Sequence, residues 1–152
     1  MQVSENYAKI MNYIDHNPAA VVGTINADGT PHGSVVYACA LDDQKVCFMT
    51  KNLTQKYVNI NKRPRVSLTF CNEKENSTLQ ASGVATVLND APQIDAVMDK
   101  LTRIHARGAE WLPPISKLRA GSYEVIGVDL TSARLAEYRS VGTDSKQVFT
   151  EL

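Results

Sequence analysis

Two apolar runs joined by an Asp-Gly turn lie early in the chain, and they do most to limit what it can fold into. Ala20-Val21-Val22-Gly23-Thr24-Ile25 and the stretch from Gly33 to Leu41 both read as strands, with Asn26-Ala27-Asp28-Gly29-Thr30-Pro31 between them. Asp-Gly supplies the positive φ that a tight hairpin turn needs. Strands joined by so short a link pair antiparallel, because a parallel pair needs a crossover of about a dozen residues or more. Asp42-Asp43-Gln44-Lys45 then turns the chain into a further strand, Val46–Thr50.

The same reading extends along the chain. Val3, Tyr7, Ile10, Met11 and Ile14 recur at helical spacing, and Asn17-Pro18 ends that helix. In Arg65–Phe70, Val66, Leu68 and Phe70 alternate with Arg65, Ser67 and Thr69, the period of a half-buried strand. Leu79–Leu88 is another strand, in which Gly83 marks a bulge or a close backbone approach. Asp90 caps a helix whose apolar face is Ile94, Val97, Met98 and Leu101. Tyr123–Leu130 and Ala133–Tyr138 close as two strands, and the segment from Ser140 to Leu152 reads as a polar tail. Six or seven short antiparallel strands with three helices predict a mainly β (α+β) fold, a barrel with peripheral helices. A single domain over residues 1–139 and a tail over 140–152 is the expected organisation.

Composition narrows the function classes. Sixteen basic and sixteen acidic side chains balance, where a nonspecific nucleic-acid binder would be basic. No run approaches the ~18 apolar residues of a membrane span, and the N-terminal residues lack the pattern of a signal peptide. The expectation is a cytoplasmic protein that binds neither nucleic acid nor membrane. Cys39, Cys47 and Cys71 sit in strand-like apolar runs and read as buried free thiols. His16, His32 and His105 lack ligand spacing, so no metal site is expected. His32 follows Pro31 in a turn and reads as solvent-exposed.

The stretch from Val46 to Phe70 carries the functional signal. It reads as a strand, a polar turn, a short helix on Leu53, Tyr57 and Ile60, a stop at Lys62-Arg63-Pro64, and a strand. Thr50, Lys51, Thr54 and Lys56 fall within seven residues at the helix start. Two hydroxyls and two ammonium groups beside free helix N–H groups suit a phosphate. An ordinary solvated turn with a Thr cap is the alternative reading of the same residues. The Lys62-Arg63-Arg65 cluster reads as serving the helix dipole and solubility.

The order of these elements resembles the flavin-binding split-barrel family related to pyridoxamine 5'-phosphate oxidase. Three passages carry the resemblance: Ala20–Leu41 with Pro31-His32-Gly33, Phe48–Lys56 continuing to Arg63-Pro64-Arg65-Val66-Ser67-Leu68, and Leu79–Val87 with Gly83-Val84-Ala85. The resemblance implies a split barrel that dimerises with FMN at the interface. It assigns the FMN phosphate to Thr50, Lys51, Thr54 and Lys56, with Ser34 and Gln55 at positions where the oxidases carry arginines. Main-chain groups of Val35 and Val36 would flank the flavin ring, Gln80 would reach it from the next strand, and Trp111 would come from the second subunit. Cys39 stands where the oxidases use a lysine on the substrate phosphate, and Leu135-Ala136-Glu137-Tyr138-Arg139 lacks their Arg-x-His pair. The resemblance therefore implies a flavin-dependent oxidoreductase for a small molecule other than a vitamin B6 phosphate. A non-catalytic binder or stress-related dimer, holding flavin, the deazaflavin F420, haem or no cofactor, is the alternative.

Overall fold

A computed structural model describes residues 2–41, 45–106, 121–141 and 144–152. The elements run α1 (Gln2–His16), β1 (Ala19–Ile25), β2 (Pro31–Ala40), β3 (Lys45–Lys51), α2 (Gln55–Lys62), β4 (Arg65–Asn72), β5 (Ser77–Val87), α3 (Ala91–Ala106), β6 (Tyr123–Val141) and β7 (Asp144–Glu151). The sheet order is β3-β2-β1-β4-β5-β6-β7, and β3 also pairs with β6. Every pairing is antiparallel. Six strands thus close a barrel and β7 extends it, the split β-barrel architecture.

The first hairpin forms for the reason its sequence gives. Gly29 has φ 86°, in the left-handed region. Asp28 accepts from the Thr30 N–H at 3.0 Å and the Thr30 hydroxyl at 2.6 Å. These bonds hold the Asp28 carboxyl below its ordinary pKa.

The two closing strands of the sequence reading are one long strand. Ser82 pairs with Ser132 but Gly83 with Leu130, which leaves Thr131 as the extra residue of a bulge. Both expectations for Gly83 are met, since a Cβ there would overlap Asp129 O and lie 2.7 Å from Val128 Cγ1. The first part of β6 pairs with β3, from Asp129 to Tyr123, and the last part pairs with β7, from Arg134 to Val141. Much of the stretch read as a polar tail is therefore strand. Its ladder with β6 was not legible because residues 144–147 are all polar and show no alternation.

Alternation sorts the strand side chains into two cores. Val22, Val36, Ala38, Val46, Phe48, Leu68, Phe70 and Leu79 fill the barrel together with Ile10 and Ile14 of α1 and Ile60 of α2. Each of the Val, Leu, Ile and Phe side chains contributes roughly 1.5–3 kcal/mol by leaving water. The outward Tyr37, Cys39 and Cys47 pack under Val97, Leu101 and Ile104 of α3. Cys39 and Cys47 are buried as expected, while Cys71, on the outer face of β4, is exposed. Asp90 Oδ2 accepts from the Gln93 N–H at 3.1 Å, the expected cap of α3.

The outer face of β2-β1-β4-β5-β6 carries one cross-strand row of Val35, Val21, Thr69, Gln80 and Arg134, and a second of Gly33, Gly23, Ser67, Ser82 and Ser132. Val21 and Val35 are 45% and 36% exposed, so this face stands open. Two shallow grooves of about 510 and 530 Å³ run over it and share Ser67 and Ser82.

Candidate functional site

The β3–α2 turn gathers the hydroxyls that the sequence singled out. Thr50, on the inward face of β3, is fully buried, and its Oγ1 lies 2.7 Å from Thr54 Oγ1. Thr54 Oγ1 donates to Lys51 O at 2.9 Å. Thr50 Oγ1 also reaches Lys51 O, at 3.3 Å, so the two hydroxyls share that carbonyl and either can donate to the other. Thr54 occupies the N-cap position of α2 yet makes no side-chain cap bond. The first-turn N–H groups of residues 55–57 therefore keep their donor capacity and the positive end of the helix dipole.

The lysines divide. The Lys51 side chain is 5% exposed, donates to Gly121 O at 3.2 Å and lies 3.8 Å from the Tyr123 ring centroid. Its ammonium is thus committed to the start of β6. Lys56 sits half-buried in the first turn of α2, and among the described residues no carboxylate pairs with it. Burial holds its pKa below the ordinary value. An unpaired, desolvated cation beside uncapped N–H groups is an environment that an anion relieves. Gln55 is exposed and turns along the helix, donating to Asn59 Oδ1 at 2.9 Å.

Strand β2 borders this turn by an open edge. It pairs with β1 along Pro31–Tyr37 but with β3 only through Ala38, Cys39 and Ala40. The Ala38 N–H points to Pro18 O beside β1, and the Leu41 N–H to Lys45 O on the β3 side. Backbone groups alternate between the two edges, so those of Gly33 and Val35 face the gap where β2 and β3 splay. Among the described residues no backbone partner covers them. The Ser34 side chain turns inward with Val22, and its buried Oγ has no hydrogen-bond partner. Val36 is a core side chain, 3% exposed, and can offer only main-chain groups.

Sequence reasoning missed two residues here. His32 pairs with Thr24 and shares the inward face with Ser34; it is half-buried rather than exposed, and its Nδ1 is buried without a partner. Counting the alternation of β2 back from Val36 and Ala38 would have found it. Asn59 of α2, 1% exposed, donates to Thr24 Oγ1 at 3.0 Å and to Asn26 Oδ1 at 2.9 Å, pinning the helix across β1. No periodic signal marks a buried amide.

Gln80 is not part of this cluster. It is exposed on the outer face of β5, three strands from Val35 along one row, so about 14 Å away at ~4.8 Å per strand. Trp111 lies outside the described residues.

The family model described as pyridoxamine 5'-phosphate oxidase matches residues 8–135. The chain belongs to this family. A comparison with curated proteins finds no match. Among solved structures, the General Stress Protein 26 of Bacillus anthracis is 16% identical with a TM-score of 0.63, covering 97% of this chain and 100% of that one. A pyridoxamine 5'-phosphate oxidase-related, FMN binding protein of Nostoc punctiforme is 14% identical with a TM-score of 0.57, over 97% and 94% of the two chains. A putative pyridoxamine 5'-phosphate oxidase of Listeria innocua is 14% identical with a TM-score of 0.64, over 85% and 96%. At these identities the likeness is one of fold. Within the pyridoxamine 5'-phosphate oxidase family fold, the candidate site of this chain comprises the β2 edge, the end of β3 and the start of α2. Among the described residues no helix is long and apolar enough to cross a membrane.

Proposed function

We propose that this member of the pyridoxamine 5'-phosphate oxidase family binds FMN along the open β2 edge and the β3–α2 turn and acts as a flavin-dependent oxidoreductase on a small molecule. The observation that carries this reading is a set of unspent donors on β2 and at the start of α2. The α2 N-terminus is uncapped, the Lys56 ammonium lacks a carboxylate, Ser34 Oγ is buried and unpaired, and the β2 edge is open at Val35. These groups fit a phosphate with a chain attached. Thr54 would turn its hydroxyl from Lys51 O toward the anion, and Thr50 would follow through the bond they share. The Val35 main-chain groups would hold the ring, and bound flavin supplies hydride or electron transfer. F420 shares the phosphate chemistry. Haem would use it less.

A homodimer follows from the same reading. A ligand at Val35 cannot touch Gln80 of its own chain across about 14 Å of sheet, whereas Gln80 of a second copy is free to approach. The exposed Val21, Val35, Ile25 and Val84 give that copy an apolar seat. The substrate is recognised otherwise than in the oxidases, because Cys39 is 1% exposed beneath α3 and offers nothing to a substrate phosphate. The test is the visible spectrum and ligand mass of the purified protein, with light scattering. Flavin bands, an FMN mass and a dimer support the reading. A colourless monomer that ignores added FMN refutes it, and a Soret band replaces flavin by haem.

A further inference from the structure

Resting on that reading, we infer that His32 is a positioning residue for the phosphate group of the bound cofactor. Its side chain lies on the inward face of β2, two residues before Ser34, and both carry a buried polar atom without a partner. Buried polar groups are nearly always paired, so two orphans on one strand face point to a missing partner common to both.

The position of α2 says where that partner sits. The helix starts at the end of β3 and reaches β1, where Asn59 donates to Thr24 at 3.0 Å. Strand β2 lies between β3 and β1 in the sheet. Thr24 is the cross-strand partner of His32, and such partners stand ~5.5 Å apart. Asn59 is one helical turn from Gln55, and its bond to Gln55 Nε2 at 2.9 Å fixes that spacing. His32 is therefore the cross-strand neighbour of the residue that holds α2 one turn beyond its uncapped start, and it lies on the same side of β2 as Ser34. An imidazole N–H there adds a donor, with charge when protonated, at a site where Ser34 stands in place of an arginine. A phosphate in the first turn of α2 would satisfy both orphans.

The test compares FMN with riboflavin, which lacks the phosphate, on the full-length protein. Wild type, His32→Phe and His32→Asn are titrated by flavin fluorescence quenching, with thermal melts of each. His32→Phe keeps the volume without a donor, and His32→Asn keeps an N–H near the Nδ1 position. We expect His32→Phe to weaken FMN binding roughly tenfold or more, one lost charge-assisted bond, with riboflavin affinity unchanged. His32→Asn should recover most of the FMN affinity. Equal FMN affinity in wild type and His32→Phe overturns the inference, as does a parallel loss of FMN and riboflavin. Failure of the wild type to bind FMN is a different result, which removes the flavin reading itself.

Discussion

Replacing Lys56 by Met should act with opposite signs on folding and on binding. The ammonium is half-buried in the first turn of α2 with no carboxylate beside it, and burial lowers its pKa from the ordinary 10.5. A depressed lysine means that the unfolded chain binds this proton more readily than the folded protein does. Between the folded and unfolded pKa values stability therefore rises with pH, and below both the charge is a standing penalty. Met keeps the apolar stem and removes the charge. The ligand-free variant should be at least as stable as wild type near neutrality and should lack the rise as pH approaches 10.5. FMN binding should move the other way. One charge-assisted hydrogen bond to phosphate is worth about 1.5–3 kcal/mol, which is roughly 10- to 150-fold in affinity. Urea denaturation of ligand-free protein from about pH 8 to pH 10 reads the first effect, across the range where a lysine titrates. Titration with FMN reads the second. A variant that is less stable without ligand yet binds FMN as tightly as wild type would refute the reasoning, since Lys56 would then be a packing residue.

Three further outcomes follow from the fold. Gly83→Ala must displace the Asp129 backbone on the neighbouring strand, so it should cost about 1–3 kcal/mol and lower Tm by roughly 3–10 °C, and an unchanged melt would contradict the close approach. Asn59→Ala strips Thr24 Oγ1 and Asn26 Oδ1 of their donor and should destabilise by about 1–3 kcal/mol in urea, whereas a neutral result would mean water replaces the amide. Burial pushes the Cys39 and Cys47 thiols up to about 12, so a thiol reagent at about pH 8 should label Cys71 alone in native protein and all three cysteines after denaturation; prompt labelling of two or more would show that the α3-covered core opens.

Much of the barrel was legible because its strands alternate. Val66, Leu68 and Phe70 fill the core and Ser67 and Thr69 face out, as their period requires. Asp28-Gly29 marked its turn for the same local reason. The limits of legibility were tertiary. Residues 144–147 are all polar in sequence and show no alternation, so only the backbone ladder to β6 reveals β7. Thr131-Ser132 looked like a break between strands because a bulge residue carries no pattern of its own. At the site, the cluster of Thr50, Thr54 and Lys56 was readable from spacing. That Lys51 is drawn away to Gly121 and Tyr123, and that His32 turns inward, depended on which strand lies beside which.

The gap between β2 and β3 is a product of unequal pairing. Strand β3 matches β6 along its full length, from Lys45 opposite Asp129 to Lys51 opposite Tyr123, and the Lys45–Asp129 ion pair at 2.8 Å ties one end of that ladder. It matches β2 at three positions only. Following the twist of β6, β3 leaves β2 past Phe48, and the β2 edge from Gly33 to Val35 loses its neighbour. An open edge is ordinarily an aggregation liability that folds cover or blunt. Here it is left open, and β3 runs on beside it into the uncapped start of α2, which brings donors rather than a strand. Alternation sends Ser34 to the inner face and Val35 to the outer, so a ligand can touch both only by lying along that edge. The splay between β2 and β3 and the uncapped start of α2 therefore belong to one device. A change that extended the β2–β3 ladder would close the gap without altering any of the side chains beside it.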